Sequence, residues 1–256
     1  MITLDSHDAA TSILTLNRPD KRNALSLELI GQITEAVRLA ESDLAKRVLI
    51  IRGAGPAFCA GLDLAEASQP GGAEKSAQAL ATMFGAICDS PLVTVAAVQG
   101  AAVGGGAGLA IACDFVIASE ADFKLGFPEV HRGIVAALVT AILRRQVNDR
   151  VARELILLGR TIDAQRAIDL GLANRAVSVD QLEAESLKLA RQVCRGAPGA
   201  IVRSKRLLDG LATRPIREEL ANALKYHLEQ RNSAEAKEGA AAFVEKREPK
   251  WASREK

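Results

Sequence analysis

The 256 residues predict an α/β fold, with layered parallel strands and helices in the front half and a mostly helical back half. Three observations predict it. Short apolar runs of strand length alternate with helical patterning as far as Ser119. One run, Val48-Leu49-Ile50-Ile51, is apolar at every position, as in a strand covered on both faces. From about Gly133 onward the apolar residues recur at helical spacing, with turns at Gly159 and Gly171.

Taken in order, Ile2–Leu4 and Ser12–Asn17 read as strands, and Asn17-Arg18-Pro19-Asp20 as the turn that stops the second. Ser26 has the chemistry of an N-cap, and behind it Leu29, Ile30, Ile33, Val37 and Ala40 mark one helical face. Arg47–Arg52 is the buried strand, ended by Gly53, Gly55 and Pro56. Pro70-Gly71-Gly72 is an exposed loop, Ala73–Asp89 a helix and Pro91–Gln99 a strand. Gly100–Cys113 is rich in glycine and alanine, and Asp114–Ser119 is again strand-like. Helices are expected at Ile134–Val147, Arg150–Leu158, Asp163–Leu170, Val179–Gly196, Pro198–Leu211, Pro215–Arg231 and Ser233–Lys246.

The composition narrows the function classes. Hydrophobic residues make up 48% and charged residues 25%, as in a globular chain with one sizeable core. A net charge of +2 gives no reason to expect a nucleic-acid surface. No stretch approaches the roughly 18 uninterrupted apolar residues of a membrane span. The N-terminal residues, with Asp5 and Asp8, carry no leader pattern, so the expected location is the cytoplasm. Cys59, Cys88, Cys113 and Cys194 match no zinc or CxxC spacing and read as reduced, mostly buried residues. No metal constellation is visible.

Two glycine-bearing loops carry the chemistry. Gln99 to Gly108 holds the densest glycine run, between a predicted strand and a predicted helix start. Glycine permits close backbone approach, and a helix start offers free N–H groups to a negative oxygen. A dinucleotide site would need a glycine where Leu109 stands, and a phosphate loop would need Gly-Lys-Ser/Thr, which is absent. Tight packing of small residues against the sheet is the competing explanation. The second loop, Gly55 to Leu64, also follows a buried strand and ends at a helix start. Loops at the carboxyl ends of parallel strands gather on one edge, so the two can aim two N–H groups at one point, as an oxyanion hole does.

Ala57-Phe58-Cys59-Ala60-Gly61-Leu62-Asp63-Leu64, then Gly100 to Gly108, Cys113-Asp114 and Phe127-Pro128-Glu129 resemble the crotonase superfamily, the enoyl-CoA hydratase/isomerase family. Leu16-Asn17-Arg18-Pro19, Asn23-Ala24-Leu25, Gly171-Leu172-Ala173-Asn174 and Phe243-Val244-Glu245-Lys246-Arg247 extend the resemblance over almost the whole chain. It implies a crotonase-like spiral of ββα turns over residues 1–195 and a helical trimerisation region over 196–256. Homotrimers, or hexamers made of two trimers, are implied as well. The implied ligand is an acyl-CoA thioester. CoA enters as part of the substrate, and no redox cofactor is needed.

Carried over by position, the resemblance gives the two hole N–H groups to Leu62 and Gly105. It assigns CoA contacts to Lys21, Arg22, Ala60, Leu62, Asp63, Leu64, Phe243 and Lys246, the last two at the nucleotide and commonly across a subunit interface. Gly105 and Gly108 complete the expected substrate-binding set. Asp63 could also face the acyl chain, although in the family this position more often supports the loop.

The family's hydratases use two glutamates, one shortly after the glycine triplet and one in the Pro-Glu motif. Here those positions are Gly108 and Glu129. Adding water requires one group to activate it and another to supply the α-proton, and losing one such group commonly costs roughly 10²–10⁴-fold. Moving a double bond requires only one base, and the family's Δ3,Δ2-enoyl-CoA isomerases resemble this case. The expectation is therefore isomerase-like migration with Glu129 as the single acid/base. Hydration and a non-catalytic acyl-CoA-binding subunit stand as alternatives. Phe123, Leu125, Phe127 and Val130 make an apolar neighbourhood that would raise the Glu129 pKa. His131 is a weaker second candidate. Gly133-Ile134-Val135-Ala136-Ala137 departs from the family's proline and paired glycines and leaves the acyl pocket's shape open.

Overall fold

The computed structural model describes residues 1–211, 214–231 and 233–251. The expected helical region 196–256 thus extends beyond them at 212, 213, 232 and 252–256.

The front half is built on β1 (Ile2–Ser6), β2 (Thr11–Leu16), α1 (Leu27–Ser42) and β3 (Val48–Gly53). Then come α2 (Leu64–Ala67), α3 (Gly72–Cys88), β4 (Val93–Val98), β5 (Ala101–Val103) and α4 (Gly105–Ile111). β6 (Phe115–Ser119) and β7 (Lys124–Gly126) lead to α5 (Ala137–Gln146) and α6 (Asp149–Leu158). The remainder is β8 (Thr161–Ile162), α7 (Ala164–Asp169), β9 (Arg175–Val177), α8 (Leu182–Cys194), α9 (Pro198–Gly210), α10 (Ile216–Arg231) and α11 (Ala234–Val244).

A six-stranded sheet runs β1-β2-β3-β4-β6-β9 and a three-stranded sheet runs β5-β7-β8. Only β1, against β2, is antiparallel in the first; β3, β4, β6 and β9 continue it in parallel. Two successive turns of the chain place a strand in the first sheet, then a short strand in the second, then a helix: β4, β5, α4, followed by β6, β7 and the one-turn 3-10 helix Pro128–Arg132 that precedes α5. This is the expected spiral of ββα turns.

The all-apolar strand has a simple cause. Leu49 and Ile51 pack into the larger core with α1, α3 and α4, while Val48 and Ile50 pack on the other face with Leu182, Leu189 and Ala190 of α8. Successive strand residues point to opposite faces, so a strand covered twice has no position left for a polar side chain. Ser26 caps α1 as expected, its hydroxyl accepting from the Leu29 amide.

Some boundaries differ from the sequence expectation. α5 begins at Ala137 rather than Ile134, because Gly133 takes a left-handed φ of 65° and the Ile134 amide donates back to Glu129 O. The expected Val179–Gly196 helix splits into a 3-10 turn at Val179–Gln181 and α8. Among the described residues no helix is long and apolar enough to cross a membrane.

Candidate active site

The loop after β3 is held by Asn23. Its side chain is fully buried and its amide group donates to the carbonyls of Ala54, Ala57 and Phe58 at 2.9, 2.9 and 3.1 Å. Its Oδ1 accepts from the Arg18 amide at 2.9 Å. These bonds keep Arg22 and Asn23 in left-handed backbone, which non-glycine residues adopt at a cost. Beyond them the Leu25 amide donates to Gly61 O and the Asp63 amide to Leu25 O. Pairing alternates along an extended strand, so the N–H of Leu62, between those two residues, faces away from Leu25. Gly61, at φ 86°, is required by a neighbour: a methyl there would lie 2.5 Å from Val103 O.

The glycine-rich loop docks against this one. Cys59 N donates to Ala101 O and Val103 N to Cys59 O, both at 3.0 Å, and Gly104 N donates to Gly126 O at 2.8 Å. Gly104 has φ 55° and ψ −120°, and Gly105 begins α4, where the first N–H groups have no intrahelical acceptor. Among the described residues neither Leu62 N nor Gly105 N meets an acceptor. The two are neighbours. A methyl carbon built on Gly105 would stand 3.8 Å from Leu62 N, and one built on Gly61 would stand 3.4 Å from Gly105 N. Two such donors beside one cavity can hold a single ligand oxygen.

Glu129 sits on the Pro128–Arg132 turn, and its carboxyl lies against the same glycines. A methyl on Gly104 would be 3.0 Å from Glu129 Oε1. Glu129 Oε2 is buried and has no hydrogen-bond partner. Burial pushes the carboxyl pKa up to about 7, against smaller opposing effects of its own backbone N–H and the Arg132 charge. His131 is exposed and lies against Gly159 rather than in the cavity, so it does not join Glu129.

Leu62, Gly104, Gly105 and Glu129 line one cavity of about 970 Å³. Lys21, Arg22 and the Ala60–Leu64 segment line it on one side, and the Ala60 amide donates to Arg22 O. Leu80, Phe84, Leu138 and Val139 give it an apolar wall, and Phe243 of α11 also lines it. Asp63 supports its loop: Arg18 Nη1 donates to it at 2.8 Å and it caps α2. Burial raises the Asp63 pKa, but the hydrogen bonds from Arg18 and the Glu66 amide outweigh it and leave the carboxyl below its usual range.

Two residues of the expected binding set do not line this chain's own cavity. Gly108 is buried behind the wall, where a methyl would fall 2.5 Å from Val139 Cγ1 and 2.7 Å from Phe84 Cζ. Lys246 is exposed just past the end of α11 and does not line the cavity. Among the lining residues that escaped the sequence reading are Arg132, and His227 and Arg231 on α10. The i, i+4 spacing of the last two signals a shared helix face, but nothing in the sequence says which surface that face meets.

The cysteines are free, as expected. Cys59 and Cys113 are fully enclosed; burial pushes the Cys59 thiol up to about 12, so it is no nucleophile.

Known proteins resemble the chain over almost its whole length. Residues 7–254 match the family described as enoyl-CoA hydratase/isomerase. A Thermus thermophilus protein provisionally named an enoyl-CoA hydratase is 38% identical over 245 residues, 94% of this chain and 96% of the relative. A solved structure from Mycobacterium avium paratuberculosis, also provisionally named an enoyl-CoA hydratase, superposes with a TM-score of 0.88 at 32% identity. It covers 99% of this chain and 100% of the other. An enoyl-CoA hydratase/isomerase from Xanthobacter autotrophicus gives 0.86 at 33% identity, covering 95% and 93%.

Proposed function

The chain belongs to the enoyl-CoA hydratase/isomerase family, whose enzymes act on acyl-CoA thioesters, and from that premise we propose that it moves the double bond of a 3-enoyl-CoA to the 2-position. The observation that carries this reading is a lone carboxyl. Glu129 Oε2 is buried and unpartnered, and the place where a second glutamate would stand is Gly108, enclosed by Val139 and Phe84.

In this reading the thioester oxygen accepts from Leu62 N–H and Gly105 N–H. Glu129, as carboxylate, removes a proton from C2, and the electron pair spreads through the dienolate onto that oxygen. The protonated Glu129 then returns the proton at C4, and the electron pair closes the new C2–C3 double bond. No water or redox partner is consumed. Each main-chain donor is worth on the order of 2.7–4 kcal/mol to such an oxyanion. A carboxyl with a pKa near 7 is matched to both taking and giving the proton. Lys21, Arg22 and the Ala60–Leu64 backbone would hold the CoA portion.

The names of the Thermus and Mycobacterium relatives favour hydration as a second reading, in which Glu129 alone activates the water. One experiment decides. Purified protein and Glu129→Gln are given 3-enoyl-CoA and 2-enoyl-CoA. Conversion of the 3-enoyl substrate, lost in the variant, supports migration. Formation of 3-hydroxyacyl-CoA as the faster reaction replaces it with hydration. Thioester binding with neither reaction leaves a binding subunit.

The reading extends to assembly as a homotrimer or a hexamer. Leu207, Leu208 and Leu211 at the end of α9 are 63, 72 and 74% exposed, an apolar strip suited to burial against further copies. Sedimentation of the purified chain tests it, and a monomer would refute it.

A further inference from the structure

Two arginines line the cavity, which is also lined by Glu28, Asp63, Glu66 and Glu129. Arg132 is half-buried and stacks over the Phe243 ring, 5.0 Å from its centroid. Arg231, at the end of α10, lines the cavity as well. Among the described residues no carboxylate forms an ion pair with either. The last turn of α10 is tied to the segment that follows Arg132. Gln230 Nε2 donates to Gly133 O at 3.1 Å, and His227 Nδ1 lies 3.2 Å from Val135 O. Those bonds bring Arg231 to the same wall as Arg132. Burial pushes the His227 pKa down, so the positive charge beside it comes from the two arginines.

An unpaired guanidinium taken out of bulk water is costly unless an anion offsets it. The arginine fork matches a carboxylate in two-point geometry. Arg132 lies three residues from Glu129 and senses its charge, so an anion held there lies near the group that works on the acyl carbons. Lys21 and Arg22 line the cavity beside the Ala60–Leu64 segment, where the proposed function places the CoA portion and its phosphates.

We propose that Arg132 and Arg231 form an anion subsite for the acyl group itself, so that the preferred substrate is a short acyl-CoA ending in a second carboxylate. The subsite rests on the acyl-thioester reading above, and it names the substrate class which that reading leaves open. Leu80, Leu138 and Val139 pack the methylene groups between the thioester and the terminal carboxylate.

Two unreactive five-carbon thioesters, pentanoyl-CoA and glutaryl-CoA, test this by calorimetric titration of the full chain, of Arg132→Met and Arg231→Met, and of Arg231→Lys. The expected result is glutaryl-CoA binding on the order of 10- to 100-fold tighter, as for charged hydrogen bonds. That ratio should fall toward one in both methionine variants and recover in part with lysine. Equal affinity for the two thioesters in the native chain overturns the proposal. So does a parallel loss for both thioesters and free CoA in the methionine variants, which would assign the arginines to phosphate. A preference for glutaryl-CoA without conversion of any enoyl-CoA would sink the proposed reaction and leave the subsite standing. Failure to bind any thioester would sink both.

Discussion

Replacing Glu129 by glutamine should make the protein more stable at alkaline pH while removing its activity. The carboxyl pKa is about 7 in the folded chain against 4.5 as reference. The native state therefore holds the proton more tightly than the unfolded one, and stability falls as pH rises between those values. Below 4.5 the effect is absent; above 7 it is complete. A shift of that size corresponds to about 3 kcal/mol, of which about 0.8 kcal/mol is already present at pH 5. Urea unfolding of the wild type and Glu129→Gln, at one protein concentration, should show the variant's relative stability increasing by about 2.5 kcal/mol from pH 5 to pH 8. In parallel, wild-type kcat/KM should rise with pH through a midpoint near 7, because the base must first be ionised. The variant should lose roughly 10²–10⁴-fold. A stability difference that is flat with pH, or an activity limb near 4.5, would show that the carboxyl is solvated and would refute the argument from burial.

Other consequences follow from the packing. Asn23→Ala should cost about 2–4 kcal/mol in chemical denaturation, since two buried carbonyls, the part-buried Ala54 carbonyl and the Arg18 amide lose their partner. Thioester affinity should weaken with it. Gly104→Ala forces a side chain into backbone that costs on the order of 1–3 kcal/mol and sets a methyl against Glu129 Oε1. Steady-state kinetics should show kcat falling more than KM rises. Gly108→Glu should not create a two-carboxylate hydratase. Its side chain would collide with Val139 and Phe84, lowering the melting temperature by the equivalent of about 1–3 kcal/mol, with no gain in hydration rate.

The sequence was most legible where one physical cause acts alone. Ser26 announces α1 because a hydroxyl before an apolar-periodic run has one main use. Val48-Leu49-Ile50-Ile51 announces a doubly covered strand because nothing polar interrupts it. The Leu62 and Glu129 segments were recognisable by family resemblance, and they do line one cavity. The second sheet was not legible. Ala101–Val103, Lys124–Gly126 and Thr161–Ile162 are two or three residues long, too short for alternation to register. Gly108 was misplaced because a position one helical turn from the cavity is set by neighbours, Phe84 and Val139, that are distant in sequence. Arg231 was unseen for the same reason: an arginine on a helix is ordinarily solvated, and the approach of α10 to the 133–135 segment depends on residues distant in sequence.

The paired main-chain donors at Leu62 and Gly105 also bear on how variation in this protein should be interpreted. A scan that trims side chains one at a time leaves Leu62 N–H in place, so in the proposed mechanism Leu62→Ala would report the loss of packing against the core and leave the donor untouched. Leu62→Pro would remove the donor itself, and a glycine-to-serine change at 61 would push the loop off Val103 O. Inherited or engineered changes here are better ranked by what they do to the ribbon than by how conservative the exchanged side chain looks.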